Sequence, residues 1–310
     1  MNAPRSIDDY LKQLRAALGG EDPALTQDAL YDAEEYLRAE VAAHPGKSEA
    51  DVLELIATTY GAPEEVAAAY RDTEVKVKAA LKSPAPRVAA GASPLKRFFG
   101  VYLDPRTYSS LFYMLLALAT GIVYFVFVVV GTSLSLGLAI LVIGVPFFLA
   151  FIGIARVIAL GEGRLLEAVT GERMPRRPVH PGPAGSWWAR IGEMLKDRRT
   201  WTTLAYFIVM LPLGIAYFVV AVVGLTVGVT FIGTPIALLA QRLGWAHMNF
   251  NIGDIYYGDG NIYSLDHSWL SAVLLFVVGL IILTSLMHFA RWVVRGHARL
   301  AKSLLVVPGA

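Results

Sequence analysis

The 310-residue chain contains no cysteine, which excludes disulfides, thiolate metal sites and a cysteine nucleophile. Charge is also scarce: 17% of residues are charged and 55% are hydrophobic, where a soluble domain carries about a quarter charged and about half apolar residues. The shortage is concentrated in three places. No Asp, Glu, Lys or Arg occurs from Thr107 to Ala155, from Trp201 to Gln241, or from His267 to Ala290. Ion-coupled transporters and proton pumps place ionisable groups inside the membrane, so these gaps argue against that class. They leave open a carrier of lipid or of a small uncharged substrate. The six histidines are scattered at 44, 180, 247, 267, 288 and 297, without HExxH or a close metal-ligand pair. A G-x-S-x-G element is missing too, so Ser133 and Ser135 in "GTSLSLG" do not read as nucleophiles. We therefore expect a protein that is not an enzyme, with no catalytic, cofactor-binding or metal-ligating residues. The first thirty residues lack the apolar core of a signal peptide, so the N-terminal part is expected in the cytoplasm.

Residues 1–75 are acidic, with sixteen Asp or Glu against six Lys or Arg. Ser6-Ile7-Asp8-Asp9 resembles a capping box, and Tyr10, Leu11, Leu14 and Leu18 follow at helical spacing until Gly19-Gly20. A second helix is expected from about Leu25 to Ala43, ended by Pro45-Gly46. A third is capped by Ser48 and carries Val52, Leu53 and Ile56. A fourth starts with Pro63 in its first turn, where a missing N–H matters least. "IDDYLKQLRAAL", the acidic middle helix and "YGAPEEVAAAYR" resemble the HAAS-type helical signalling-associated domain of bacterial membrane proteins, over roughly residues 5–75. That resemblance implies a unit that docks a cytoplasmic regulatory protein. An acidic module repels phosphate, so no direct nucleic-acid partner is expected. The segment 76–106 is instead basic and broken by Pro84, Pro86 and Pro94, as suits a linker beside an anionic inner leaflet.

Beyond Ser109 the apolar runs are long enough to cross a bilayer core of about 30 Å. Four spans are expected: Leu111–Val130; about Leu134–Ala155, after a Gly131-Thr132-Ser133 turn; Leu204–Val223; and Trp269–Ala290. A fifth, Leu225–Ala240, is short and interrupted by Gly233 and Pro235. The segment Arg156–Arg199 holds nine basic residues and should face the cytoplasm, as should the tail with Arg291, Arg295, Arg299 and Lys302. Four spans satisfy both. The implied location is the bacterial inner membrane, multi-pass, with membrane lipid as a partner.

The chain also repeats itself. "GIVYFVFVVVG" begins at Gly121 and "GIAYFVVAVVG" at Gly214; "ARVIALGEGRL" begins at Ala155 and "ARWVVRGHARL" at Ala290. The copies cover about 104–170 and 197–305, with an insertion near 225–267 in the second. "DPRTYSSLFYMLL…" and "DRRTWTTLAYFIVMLPLGIAYFVVAVVG" resemble the membrane sensor domain found in bacterial histidine kinases, over most of 100–305. In that family the module precedes a cytoplasmic output domain, so output here would pass through residues 1–75 or a partner. Both resemblances together imply an all-α protein: a small helical bundle and a duplicated transmembrane domain of four or five spans.

Candidate functional residues fall into three groups. Gly121, Tyr124, Gly144, Pro146, Pro212, Gly214 and Tyr217 punctuate the spans as hinge or packing points. Tyr124 and Tyr217, and Tyr113 and Tyr206, are repeat equivalents expected to face each other about an axis near the bilayer normal. Asp254, Tyr256, Tyr257 and Asp259 lie in an acidic, aromatic outer loop that would form a ligand cap or a weak cation site, unless its glycines simply mark turns. Trp187 and Trp188 would anchor a short interfacial helix, the alternative being an ordinary connector. His288 suits a helix-packing hydrogen bond. The expected function is a membrane regulator that relays a signal to a cytoplasmic partner by helix repacking. The alternative is a lipid- or hydrophobe-handling protein, such as an accessory subunit of a transporter. A homo-oligomer is compatible with either.

Overall fold

Helices account for nearly all of the described residues in a computed structural model covering 4–82, 93–139, 144–177, 192, 194–245, 255–256, 262–263 and 269–306. In chain order they are α1 (Ile7–Ala17), α2 (Pro23–Ala43), α3 (Glu49–Ile56), α4 (Pro63–Ala80), α5 (Pro94–Phe99) and, after one 3₁₀ turn, α6 (Pro105–Leu138). α7 (Gly144–Thr170), α8 (Arg198–Arg242) and α9 (Trp269–Leu305) follow. A two-residue antiparallel ribbon pairs β1 (Ile255–Tyr256) with β2 (Ile262–Tyr263). The contacts divide the chain into two units, residues 1–83 with 121–211 and 295–310, and residues 84–120 with 212–294.

In the first unit, α1–α4 form a bundle whose ends follow from local chemistry. The Ser6 hydroxyl accepts the Asp9 N–H at 3.2 Å and starts α1. Asp22 accepts from Ala24 N at 2.9 Å at the start of α2, and Ser48 with Asp51 completes a capping box for α3. Gly61 adopts φ +100°, a left-handed turn that a side chain would strain, immediately before Pro63 opens α4. The core is Ile7, Tyr10, Leu14, Leu18, Ala29, Ala33, Leu37, Leu53, Ile56, Val66 and Ala67. Each fully buried leucine contributes about 2 kcal/mol. The Tyr10 hydroxyl reaches the Gly61 carbonyl at 2.9 Å, tying α1 to the α3–α4 turn.

Four helices, α6 to α9, are long and apolar enough to cross a membrane. The expected turn at Gly131–Ser133 is not there: α6 continues to Leu138. Gly131 serves close approach instead, because a Cβ on it would lie 2.1 Å from the Phe151 ring of α7. Ser135 bonds back to the Gly131 carbonyl at 2.6 Å inside the helix. The short segment 225–240 is likewise no separate span but the continuation of α8 through Pro235. Proline removes one ladder bond, and the helix carries on through it.

In the second unit, α8 and α9 pack antiparallel through small residues: a Cβ on Gly228 would meet Leu283 at 2.5 Å, and one on Gly279 would meet Ile232 at 2.8 Å. The Tyr102 hydroxyl meets Thr284 at 3.1 Å, and His288 bonds to the Phe98 carbonyl at 2.9 Å, the packing role expected of it.

The duplication reappears as exchanged contacts. Asp197 accepts from Arg199 N at 2.9 Å at the start of α8 and pairs with Arg156 of α7 at 3.1 Å. In the other unit, its repeat equivalent Asp104 accepts from Arg106 N at 3.1 Å and pairs with Arg291 of α9 at 2.8 Å. Each aspartate caps its own helix and binds the arginine of the other copy. The glycines behave the same way. A Cβ on Gly121 would lie 2.7 Å from the Met210 carbonyl, and one on Gly214 would lie 2.2 Å from the Ala117 carbonyl. Within the first unit, the Gly121–Met210 approach and the Tyr124–Phe207 ring contact, 4.8 Å between centroids, run in opposite order, so α6 and α8 run antiparallel there.

Candidate functional site

Two polar clusters stand out against the apolar helices of the first unit. The first gathers on Glu162, which is 1% exposed. Tyr124 of α6 donates to its Oε2 at 2.7 Å, and Tyr206 of α8 donates to its Oε1 at 3.1 Å. The same Tyr206 oxygen lies 2.9 Å from His297 Nε2 of α9. Since Tyr206 gives its only proton to Glu162, the imidazole Nε2–H must be the donor in that contact. Glu162 and His297 occupy the same position in the two copies of the A-R-x-x-x-x-G-x-x-R-L phrase. One residue from each of α6, α7, α8 and α9 thus meets in a buried hydrogen-bonded group. Low local dielectric strengthens such bonds and makes an unmade one costly.

The second cluster lies where α7 ends. Gly171, at φ +73°, terminates the helix and turns the chain so that Arg173 is buried at 8% exposure. Its guanidinium donates to Asp28 of α2 at 2.7 Å, to Glu74 of α4 at 3.2 Å and to Glu167 of α7 at 3.4 Å. The backbone N–H groups of Arg176 and Arg177 both donate to Asp28 Oδ1 at 2.8 Å. Glu167 also receives Arg176 at 2.7 Å and the Met174 N–H at 2.9 Å. Burial works against the Arg173 charge, but Asp28 and then Glu74 outweigh it and hold the guanidinium above its ordinary value. Around this node, Arg177 pairs with Asp32 at 2.9 Å, and Lys302 of α9 pairs with Asp22 at 2.7 Å. Asp22, Asp28, Asp32 and Glu74, part of the acidic excess of residues 1–75, therefore face cations of the same chain.

The residues singled out from sequence are distributed as follows. Gly121 and Gly214 sit at the exchanged crossings and Tyr124 in the Glu162 cluster. Gly144 begins α7, where a Cβ would lie 2.2 Å from the Leu138 carbonyl. Pro146 occupies the first turn of α7, where its missing N–H has no helical partner to lose. Pro212 lies inside α8. Tyr124 and Tyr206 belong to the first unit and their repeat partners Tyr217 and Tyr113 to the second; Tyr124 and Tyr206, which are not equivalents, converge on one carboxylate. Trp187, Trp188, Asp254, Tyr257 and Asp259 lie outside the described residues, and Tyr256 is placed only as backbone of β1. Glu162, His297, Arg173, Asp28 and Glu74 were missed. A signal existed for two of them, because Glu162 and His297 are the charged and titratable variants of one repeat position. Arg173 carried no pattern, since two of its three carboxylate partners are 99 or more residues away, in α4 and α2.

Among the described residues no group of three His, Asp or Glu could hold a metal ion. The architecture is that of a multi-pass helical membrane protein carrying a polar helical bundle. A family described as "Putative sensor" matches residues 113–305, more than half of the chain, so the protein belongs to that family. Neither the curated proteins nor the solved structures give a match.

Proposed function

We propose that this membrane sensor protein relays a membrane or envelope signal to a cytoplasmic partner, using α7 as the connecting element. The observation that carries this reading is that α7 bears both clusters. Glu162 ties it to α6, α8 and α9, and Glu167, about 7–8 Å further along the helix axis, ties it to Arg173 and so to α2 and α4. A signal that favours one packing of the apolar helices over another would move both carboxylates together. Only a signal with different affinity for the two packings transmits anything.

The Asp22–Lys302 pair brings the two chain ends together, and Arg199 reaches Gln27 at 3.1 Å. This supports the placement of the basic segments and residues 4–82 on one, cytosolic, face. The bundle would then act as the docking unit that its likeness to HAAS-type domains implies. A second reading, hydrophobe handling, draws on an apolar groove of about 270 Å³ lined by Val126, Phe127, Val130, Phe147, Phe151 and Ile154. Affinity capture of the full-length protein from cross-linked membranes separates the two. A transcriptional regulator among the captured proteins supports the relay, whereas a transporter subunit supports the second reading.

A further inference from the structure

In the second unit, α5 runs directly into the 3₁₀ turn Gly100–Leu103, which leads into α6. Contacts with α9 fix its height. The Phe98 carbonyl bonds to His288 Nε2 at 2.9 Å, and the two rings stack with 5.6 Å between centroids. The Tyr102 hydroxyl meets Thr284, one turn deeper, at 3.1 Å. Arg291 is the first charged residue of α9, and Arg106 is the last before the apolar run of α6. α5 therefore lies at the level where both helices pass between apolar and charged sequence, which is the headgroup level of a bilayer that they cross.

What α5 presents there is amphipathic. Leu95 and Phe99, four residues apart and so on one helix face, are both exposed, Leu95 at 70%, and Leu103 follows at 66%. Lys96 and Arg97, between them, are exposed and form no ion pair among the described residues. Asp104 is the only acid among the described residues of this unit, and it is already paired with Arg291 at 2.8 Å. Trp292, one turn past His288 on the same face of α9, is 71% exposed. Water gains nothing from bare apolar side chains beside two unmatched cations. An anionic leaflet satisfies both, because it takes the apolar groups among its acyl chains and offers the cations negative charge.

We propose that α5 and its 3₁₀ turn bind anionic phospholipid of the surrounding leaflet. Lys96 and Arg97 meet the headgroups, while Leu95, Phe99 and Leu103 enter the upper acyl region. Through Phe98 and Tyr102, the bound lipid steadies α9. The inference needs only that α6 and α9 cross the bilayer, and it stands whether or not the relay exists.

The test is hydrogen exchange of residues 94–103 in the full-length protein, held in nanodiscs of phosphatidylcholine with or without phosphatidylglycerol. A basic side chain near an anionic surface strengthens binding about fivefold, so exchange should slow by about that factor or more in the phosphatidylglycerol discs. The slowing should vanish in the double variant Lys96→Gln, Arg97→Gln. It should also vanish for the natural sequence at high salt, which screens the attraction and covers the case in which the variant does not fold. Equal exchange in the two lipids, or slowing that persists in the folded variant or at high salt, would overturn the proposal. Protection that appears only when soluble cell proteins are added would overturn it too, by assigning this face to a protein partner.

Discussion

At the scale of single residues, Arg173 joins carboxylates from three helices, Asp28 of α2, Glu74 of α4 and Glu167 of α7. Replacing it with alanine would leave Asp28, Glu74 and Glu167 buried without their guanidinium. Breaking a buried ion pair from one side typically costs about 3–5 kcal/mol. We expect Arg173→Ala to lower the thermal stability of α1–α4 by that order and to open them to limited proteolysis. Unchanged protease resistance would remove Arg173 from its place in the account. Tyrosines of the bundle give a pH signature. Burial pushes the Tyr60 hydroxyl up to about 12, with Asp32 adding to it, and also raises Tyr10 and Tyr70. A group whose folded pKa lies above its unfolded one stabilises the fold below the unfolded value, near 10, and loses that contribution as pH rises through the folded value. The bundle should therefore unfold cooperatively as pH climbs from 10 toward and beyond 12, with tyrosinate absorbance rising in the same transition. Tyrosines that ionise near 10 before any unfolding would contradict their burial.

At the scale of elements, close helix crossings rest on glycines that the sequence repeats. A Cβ at Gly214 would collide with backbone, the Ala117 carbonyl at 2.2 Å, and backbone yields less readily than a side-chain tip. Gly233, in the same helix, has open space where its Cβ would stand. Gly214→Ala should thus destabilise the detergent-solubilised protein by roughly 1–3 kcal/mol. Gly233→Ala should leave it unchanged or stabilise it by up to about 1 kcal/mol. Thermal melts of the two variants that coincide would show that the crossing is not tight. The same elements show what was legible beforehand. Bundle helices could be read because each has its own cap, breaker and apolar face, as at Ser48, Gly61 and Pro63. The end of α6 and the length of α8 could not. Gly131 and Pro235 have the chemistry of turns, yet tertiary contacts and continued apolar sequence kept both inside helices. The exchanged pairs Asp104–Arg291 and Asp197–Arg156 were within reach of the repeat but needed the third dimension to show which aspartate meets which arginine.

At the scale of the whole molecule, a duplicated set of membrane-spanning helices is joined to a polar bundle whose acids pair with the basic ends of α7 and α9. Charge asymmetry led to the expectation that residues 1–75 and the basic tail lie together, and Asp22 pairs with Lys302 of that tail. Charge could not foresee the antiparallel crossing of α6 and α8, which depends on which faces carry small residues. The central claim is that repacking around Glu162 reaches α2 and α4 through α7. Hydrogen exchange on the full-length protein in lipid nanodiscs, comparing the natural sequence with Tyr206→Phe, tests it most directly. That substitution keeps the ring and removes the hydroxyl shared by Glu162 and His297. The account predicts faster exchange in α2 and α4 near Asp28 and Glu74 as well as in α7. Changes confined to α6–α9, with α2 and α4 exchanging as before, would contradict it.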